Sequence, residues 1–217
     1  MQLENIKAVI FDLDGVIVST DDCHYEAWKQ MADQQGIYFD RKINERLRGV
    51  SRMESLEILL ERANRSYTDN EKLNMATEKN KVYTQLVMKI TPEAILPGAL
   101  ENLKALREKG ILLAIGSSSK NTPIILNQIG LGDFFDAVAD GNHIRNSKPD
   151  PEVFLLAATL LNQPPEACLV VEDADAGVEA ALNGNMRVLG VGFAAQNKKA
   201  TISADSLKDI DLTTLIV

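Results

Sequence analysis

Five short apolar runs constrain the fold of this chain more than any other feature. They are Ala8–Phe11, Ile111–Ile115, Ala137–Ala139, Cys168–Val171 and Val188–Val191, each bounded by turn or polar residues, with helical patterns filling most of the gaps between them. This alternation predicts a parallel sheet with helices over its faces. Leu100, Leu103 and Leu106 form an apolar stripe that ends before Gly110. Asp150-Pro151 is expected to supply the N-cap and first-turn proline of a helix running to about Leu161.

The first run is not followed by a short crossover. From Val18 to Glu93 the chain is rich in Glu, Lys, Gln, Asn and Met and holds no strand-like run, which predicts a helical insert. Leu56, Leu59 and Leu60, and Val82, Leu86 and Val87, have the spacing of two amphipathic helices that pack on each other. Thr91-Pro92 and Pro97-Gly98 return the chain to the sheet. The 217 residues exceed a usual single domain of about 100–150, so two units are expected. One is an α/β core of residues 1–17 and 94–217, and the other a smaller α-helical cap of residues 18–93.

A net charge of −8 repels nucleic acid and anionic membranes, so neither is an expected partner. An anionic substrate must then be held by a few locally placed cations, which makes each lysine or arginine beside a motif informative. No run approaches the roughly 20 apolar residues of a membrane span. Cys23 and Cys168 lie far apart without metal-ligand spacing, and the N-terminus has no signal-like segment, so a reducing, cytoplasmic setting is expected.

Parallel-sheet proteins bind ligands outside the carboxyl ends of their strands. Here the first run leads into Asp12-Leu13-Asp14-Gly15, the second into Ser117 and the fourth into Glu172-Asp173, while Lys148-Pro149 follows the third by a loop. Four carboxylates would therefore meet on one rim. Carboxylates about 4 Å apart repel by roughly 4 kcal/mol per pair at an effective dielectric near 20, so a cation is required. An all-oxygen set favours a hard ion, and magnesium, which also binds phosphate, fits best.

These residues resemble the four motifs of the haloacid dehalogenase-like (HAD) superfamily of phosphotransferases. They stand here as Phe11-Asp12-Leu13-Asp14-Gly15-Val16, Ser117, Lys148-Pro149, and Glu172-Asp173 followed by Ala176-Gly177. The resemblance covers nearly the whole chain and implies a HAD-like Rossmannoid core, a parallel sheet flanked by helices, with a helical cap. Within the superfamily, the insert resembles the caps of sugar-phosphate mutases at His24 with Trp28, Gly49-Val50-Ser51-Arg52 with Ser55, and Lys79-Asn80. Ser118-Ser119-Lys120-Asn121 of the core adds to that likeness. It implies conversion of β-D-glucose 1-phosphate to D-glucose 6-phosphate through β-glucose 1,6-bisphosphate.

In that mechanism Asp12 is the nucleophile and becomes an aspartyl phosphate. Asp14, two residues on and expected on the same side of the strand, is the general acid and base. Magnesium is assigned to Asp12, Glu172, Asp173 and the backbone carbonyl of Asp14, and Ser117 and Lys148 cradle the transferring phosphoryl. Arg52 is assigned to the phosphate that is not transferred, because a guanidinium binds phosphate in bidentate fashion and keeps its charge. Gly49, Val50, Ser51, Ser55, Asn80, Ser119, Lys120 and Asn121 join it in contacting substrate. His24 and Lys79 are expected to set Asp14 when the cap closes, Thr20 to lie at the hinge, and Trp28 to serve the cap core or stack on sugar. Closure shields the site without a second copy, so a monomer is expected. Two other readings stay open: a HAD-type sugar-phosphate phosphatase, and a non-enzymatic phospho-acceptor module.

Overall fold

The computed structural model describes residues 3–48 and 50–216. Six parallel strands form one sheet: β1 (Ala8–Phe11), β2 (Leu112–Gly116), β3 (Ala137–Ala139), β4 (Cys168–Glu172), β5 (Arg187–Gly190) and β6 (Ile202–Ser203). Their order is β3-β2-β1-β4-β5-β6. The five apolar runs are the first five strands, to within a residue at each end. Only β6 was not legible, because two residues paired to Leu189 and Gly190 leave no pattern. The order reverses direction beside β1, and the crevice at such a switch point is where open parallel sheets hold ligands.

Side chains alternate between the faces with the period of two that a strand imposes. Val9, Phe11, Leu113, Ile115, Leu169 and Val171 join one apolar cluster, while Ala8, Ile10, Ala114, Cys168 and Val170 join the other. Helix α5 (Ala99–Glu108), the fifth helix in chain order, covers the first face with Leu103 and Leu106. Both are fully buried and contribute roughly 1.5–3 kcal/mol each. The second face is covered by α7 (Glu152–Leu160) and α8 (Asp175–Asn183), through residues such as Phe154, Ala157, Val178 and Ala181. Helix α7 begins one residue later than the sequence implies: Pro151 holds the N-cap position, and the Asp150 carboxylate accepts from the Glu152 N–H at 3.0 Å.

Between β1 and α5 lie α1 (Asp21–Gln34), α2 (Arg41–Glu45), α3 (Arg52–Leu60) and α4 (Asp69–Val87). Ser51 with Glu54, and Thr68 with Glu71, form capping boxes that fix where α3 and α4 start. Trp28, Met31, Phe39, Leu56, Leu59 and Met75 make an apolar cluster of their own. The expected pairing of Leu56, Leu59 and Leu60 with Val82, Leu86 and Val87 does not form. Helix α4 has 19 residues, a length of about 28 Å, and outruns the nine-residue α3. Its Met75 and Ala76 meet α3 in the insert's cluster, whereas Tyr83 and Val87, with Val82 and Leu86 against them, pack into the cluster on the sheet.

Candidate active site

Asp12 follows β1 and donates its backbone N–H to Val171 O at 2.9 Å, so its carboxylate is carried by the sheet. The chain then leaves the strand direction. Ile17 and Val18 donate to Leu13 O at 3.0 and 3.1 Å, and Gly15 donates to Val18 O at 2.7 Å. Gly15 has φ +85°, and a Cβ there would lie 2.1 Å from Asp173 Oδ2, so the turn needs glycine on both counts. Asp14 lines the same cavity as Asp12, as expected from sequence, but it is this turn beyond the strand, and not strand periodicity, that aims it there. Its carboxylate accepts from the Thr20 N–H at 2.7 Å and from the Thr20 hydroxyl at 2.5 Å, with His24 Nε2 3.7 Å away. Enclosure pushes the Asp14 pKa up to about 6 in spite of those two donors.

Thr20 sits at the N-cap position of α1, but its side chain caps nothing. Its hydroxyl instead bridges Asp14 and the Tyr83 hydroxyl, 2.9 Å away. Tyr83 also packs on His24, with ring centroids 4.2 Å apart, and His24 Nδ1 is 3.0 Å from Lys79 Nζ. Burial, with the Arg52 charge nearby, lowers the Lys79 pKa to about 7, and burial beside Lys79 keeps the His24 imidazole neutral.

All four carboxylates line one cavity, as expected; Asp12, Glu172 and Asp173, all buried, each offer an oxygen within 4.8 Å of the others, while the Asp14 carboxylate turns to Thr20. Lys148 Nζ donates to Asp12 Oδ1 at 2.5 Å and to Glu172 Oε1 at 3.2 Å. Burial opposes its charge, but the two carboxylates more than offset this and raise its pKa. One lysine cannot balance three carboxylates. Burial raises the pKa of both Asp173 and Glu172; the neighbouring carboxylates add to the rise at Asp173, while at Glu172 the Lys148 charge opposes it. A buried all-oxygen set short of positive charge suits a hard divalent cation. Gly177 leaves room for this arrangement, since a Cβ there would fall 1.5 Å from Glu172 Oε1.

A cavity of ≈ 540 Å³ joins these groups to the helical insert. Ser117, buried after β2, accepts from the Ser119 N–H at 3.2 Å, and Ser119 Oγ accepts from the Asn121 N–H at 3.2 Å. Lys120 also lines the cavity, and Asn121 Nδ2 donates to Asn80 Oδ1 at 3.1 Å, bridging α4 to this loop. From the insert come His24, Val50, Ser51, Arg52, Ser55 and Lys79. Ser51 is also the N-cap of α3. Among the described residues Arg52 has no ion pair or side-chain hydrogen bond, and partial burial lowers its pKa. Trp28 is 2% exposed and belongs to the insert's apolar cluster, with Lys79 Nζ 4.7 Å from its ring centroid. Gly49 lies outside the described residues.

Sequence reasoning passed over Tyr83 and Arg48. Tyr83 follows Lys79 by one helical turn and shares its face, which was the available signal. Arg48 borders the 49–52 segment, lines the cavity and pairs with Asp21 at 2.8 Å. Cys23, half-buried beside Asp14, has its thiol pKa raised by burial and that charge, so it is a poor nucleophile. Cys168 is a buried small hydrophobe whose thiol burial pushes up to about 11.

The family model for haloacid dehalogenase-like hydrolases matches residues 6–185. The chain belongs to that family. Within it, the chain is 42% identical to the β-phosphoglucomutase of Bacillus subtilis (strain 168), over 97% of this chain and 94% of that protein. The crystal structure of β-phosphoglucomutase from Clostridium difficile superposes with a TM-score of 0.89 at 43% identity, covering 96% of this chain and 95% of that one. Hydrolytic members are also similar: a phosphorylated carbohydrates phosphatase of Thermotoga maritima is 32% identical over 93% of each chain. Among the described residues no helix is long and apolar enough to cross a membrane.

Proposed function

We propose that this chain is a β-phosphoglucomutase, interconverting β-D-glucose 1-phosphate and D-glucose 6-phosphate through an aspartyl phosphate on Asp12 and β-glucose 1,6-bisphosphate. The observation that carries the mutase reading is the one cavity that joins the Asp12 carboxylate to Arg52, a guanidinium with no carboxylate partner among the described residues. A bisphosphate needs a cation at its second phosphate, whereas hydrolysis of a monophosphate does not. Residues 18–93 act as the cap over a core of residues 1–17 and 94–217.

In the first half-reaction an Asp12 oxygen bonds to phosphorus as the bond to the donor oxygen breaks. That oxygen keeps the electron pair and takes a proton from Asp14. In the second, the acceptor hydroxyl gives its proton to Asp14 while its oxygen bonds to phosphorus and Asp12 leaves as carboxylate. A pKa of about 6 suits a group that must both give and take a proton near neutrality. Lys148 and Ser117 face the transferring phosphoryl. Asp12, Glu172 and Asp173 hold the divalent ion, proposed to be magnesium, which supplies charge to offset that on the phosphoryl. Phosphorus NMR of β-glucose 1-phosphate with magnesium and a trace of bisphosphate should reveal glucose 6-phosphate. Accumulation of inorganic phosphate alone would favour the phosphatase reading that the Thermotoga relative represents.

Arg52→Ala should cut isomerisation by roughly a hundredfold, as for loss of a charge-assisted bidentate contact of about 3 kcal/mol. Labelling of Asp12 by acetyl phosphate, which has no second phosphate, should change little. If both rates fall together, Arg52 supports the fold instead. Gly177→Ala should force Glu172 aside and weaken magnesium binding by about 10–100-fold, read by calorimetric titration. Unchanged magnesium affinity would remove Glu172 from the ion's surroundings.

A further inference from the structure

The side-chain hydrogen bonds between the helical insert and the sheet half lie on one flank. Asn80 and Thr84 of α4 bond to Asn121, Gln128 reaches Met88 O, and Thr20 holds Asp14 beneath them. Among the described residues no hydrogen bond or ion pair ties α2, or the segment that follows it into α3, to the sheet half. Arg48 does reach the sheet half there: its guanidinium carbon lies 4.3 Å from the centroid of the Phe193 ring.

Both partners are anchored from behind. Arg48 donates to Asp21 Oδ2 at 2.8 Å, and Asn44 donates to the other Asp21 oxygen at 3.1 Å, which fixes the guanidinium to the insert. Phe193 lies in a short 3-10 turn, Gly192–Gln196, directly after β5. That turn is tied to the acidic site by the Ala194 N–H, which donates to Asp173 O at 2.9 Å, and to the segment after β6 by the Gly192 N–H, which donates to Asp205 O at 3.0 Å. Phe193 is 62% exposed and belongs to none of the apolar clusters. Packing the core is therefore not its role. Arg48 and Asp12 line the same cavity, so this contact ties a cavity-lining residue of the insert to the sheet half.

We propose that Phe193 selects sugar over water as the phosphoryl acceptor, by holding the insert down over phosphorylated Asp12 through Arg48. The inference rests on the mutase reading for its sugar acceptor. The competing reaction is hydrolysis: a water oxygen bonds to phosphorus, the bond to the Asp12 oxygen breaks with its electron pair staying on the carboxylate, and the water proton passes to Asp14. Every opening of the insert admits that water. A cation–π contact at an exposed site is weak, so its loss multiplies the open population only about two- to fivefold. Weakness serves the reaction, since the bisphosphate must present each of its phosphates to Asp12 in turn, and a strong tie would trap it in one orientation.

The test labels the full chain with radioactive acetyl phosphate, removes the donor, and follows phosphate release to water with and without β-glucose 1-phosphate. Phe193→Ala should release phosphate to water about two- to fivefold faster and lower the ratio of sugar transfer to hydrolysis by the same factor. The labelling rate and the unfolding midpoint should stay unchanged. Phe193→Tyr, which keeps the ring, should restore the wild-type ratio, and Arg48→Ala added to Phe193→Ala should accelerate release no further. Wild-type partitioning in Phe193→Ala would overturn the inference, as would an equal fall in labelling, which marks a structural role. If labelled wild type releases phosphate but never transfers it to sugar, the mutase reading fails separately, while release in Phe193→Ala still decides whether the contact holds out water.

Discussion

Asp12→Asn should retain less than about one-thousandth of wild-type turnover on every substrate, because neither amide atom is a useful nucleophile near neutral pH. The variant should nevertheless fold. Asp12, Glu172 and Asp173 crowd around a single lysine, and taking one charge from that group relieves repulsion. In the absence of magnesium its unfolding midpoint should equal or exceed that of the wild type. The measurements are turnover with bisphosphate primer and a thermal melt in chelator. Substantial residual isomerisation would sink the aspartyl-phosphate mechanism, and a collapse of stability would mean that Asp12 is held chiefly for its ion pair with Lys148.

Asp14→Ala is expected to lose about 10²–10⁴ in isomerisation, the usual span for removing a general acid and base. The sugar oxygen is a poor leaving group without its proton. Acetyl phosphate leaves readily without one, so labelling of Asp12 by that donor should stay within a few fold of wild type. The Thr20 hydroxyl keeps Tyr83 as a partner after the change, which limits the structural damage. Failure to label at all would move Asp14 from proton transfer to support of the metal site.

Much of the sheet could be read directly because its strands are buried on both faces and so appear as unbroken apolar runs, as Cys168–Val171 does. The positions of Asp12, Ser117, Lys148, Glu172 and Asp173 followed from where those runs stop. What sequence did not give is direction within loops. Asp14 was expected to follow the strand's alternation, but the Leu13–Val18 turn with its left-handed Gly15 sets its aim, and Asp173, far along the chain, leaves no room for a side chain at Gly15. Helix α4 misled in a related way. Its apolar positions announce a helix, yet periodicity alone does not say which neighbour each part will meet. Tyr83 and Arg48 were missed because their value lies in partners distant in sequence, Thr20 and His24 for the first and Phe193 for the second.

Helix α4 also bears on how this architecture could be rebuilt. Because Met75 and Ala76 belong to one apolar cluster and Tyr83 and Val87 to another, the helix is a shaft set in two bearings. An exchange of inserts between relatives cannot be cut at the visible gap between the two halves. It must carry the last turns of this helix together with the sheet-side residues that receive them, or the transplanted piece arrives with one end unseated and with Tyr83, the prop beneath Thr20 and His24, out of place.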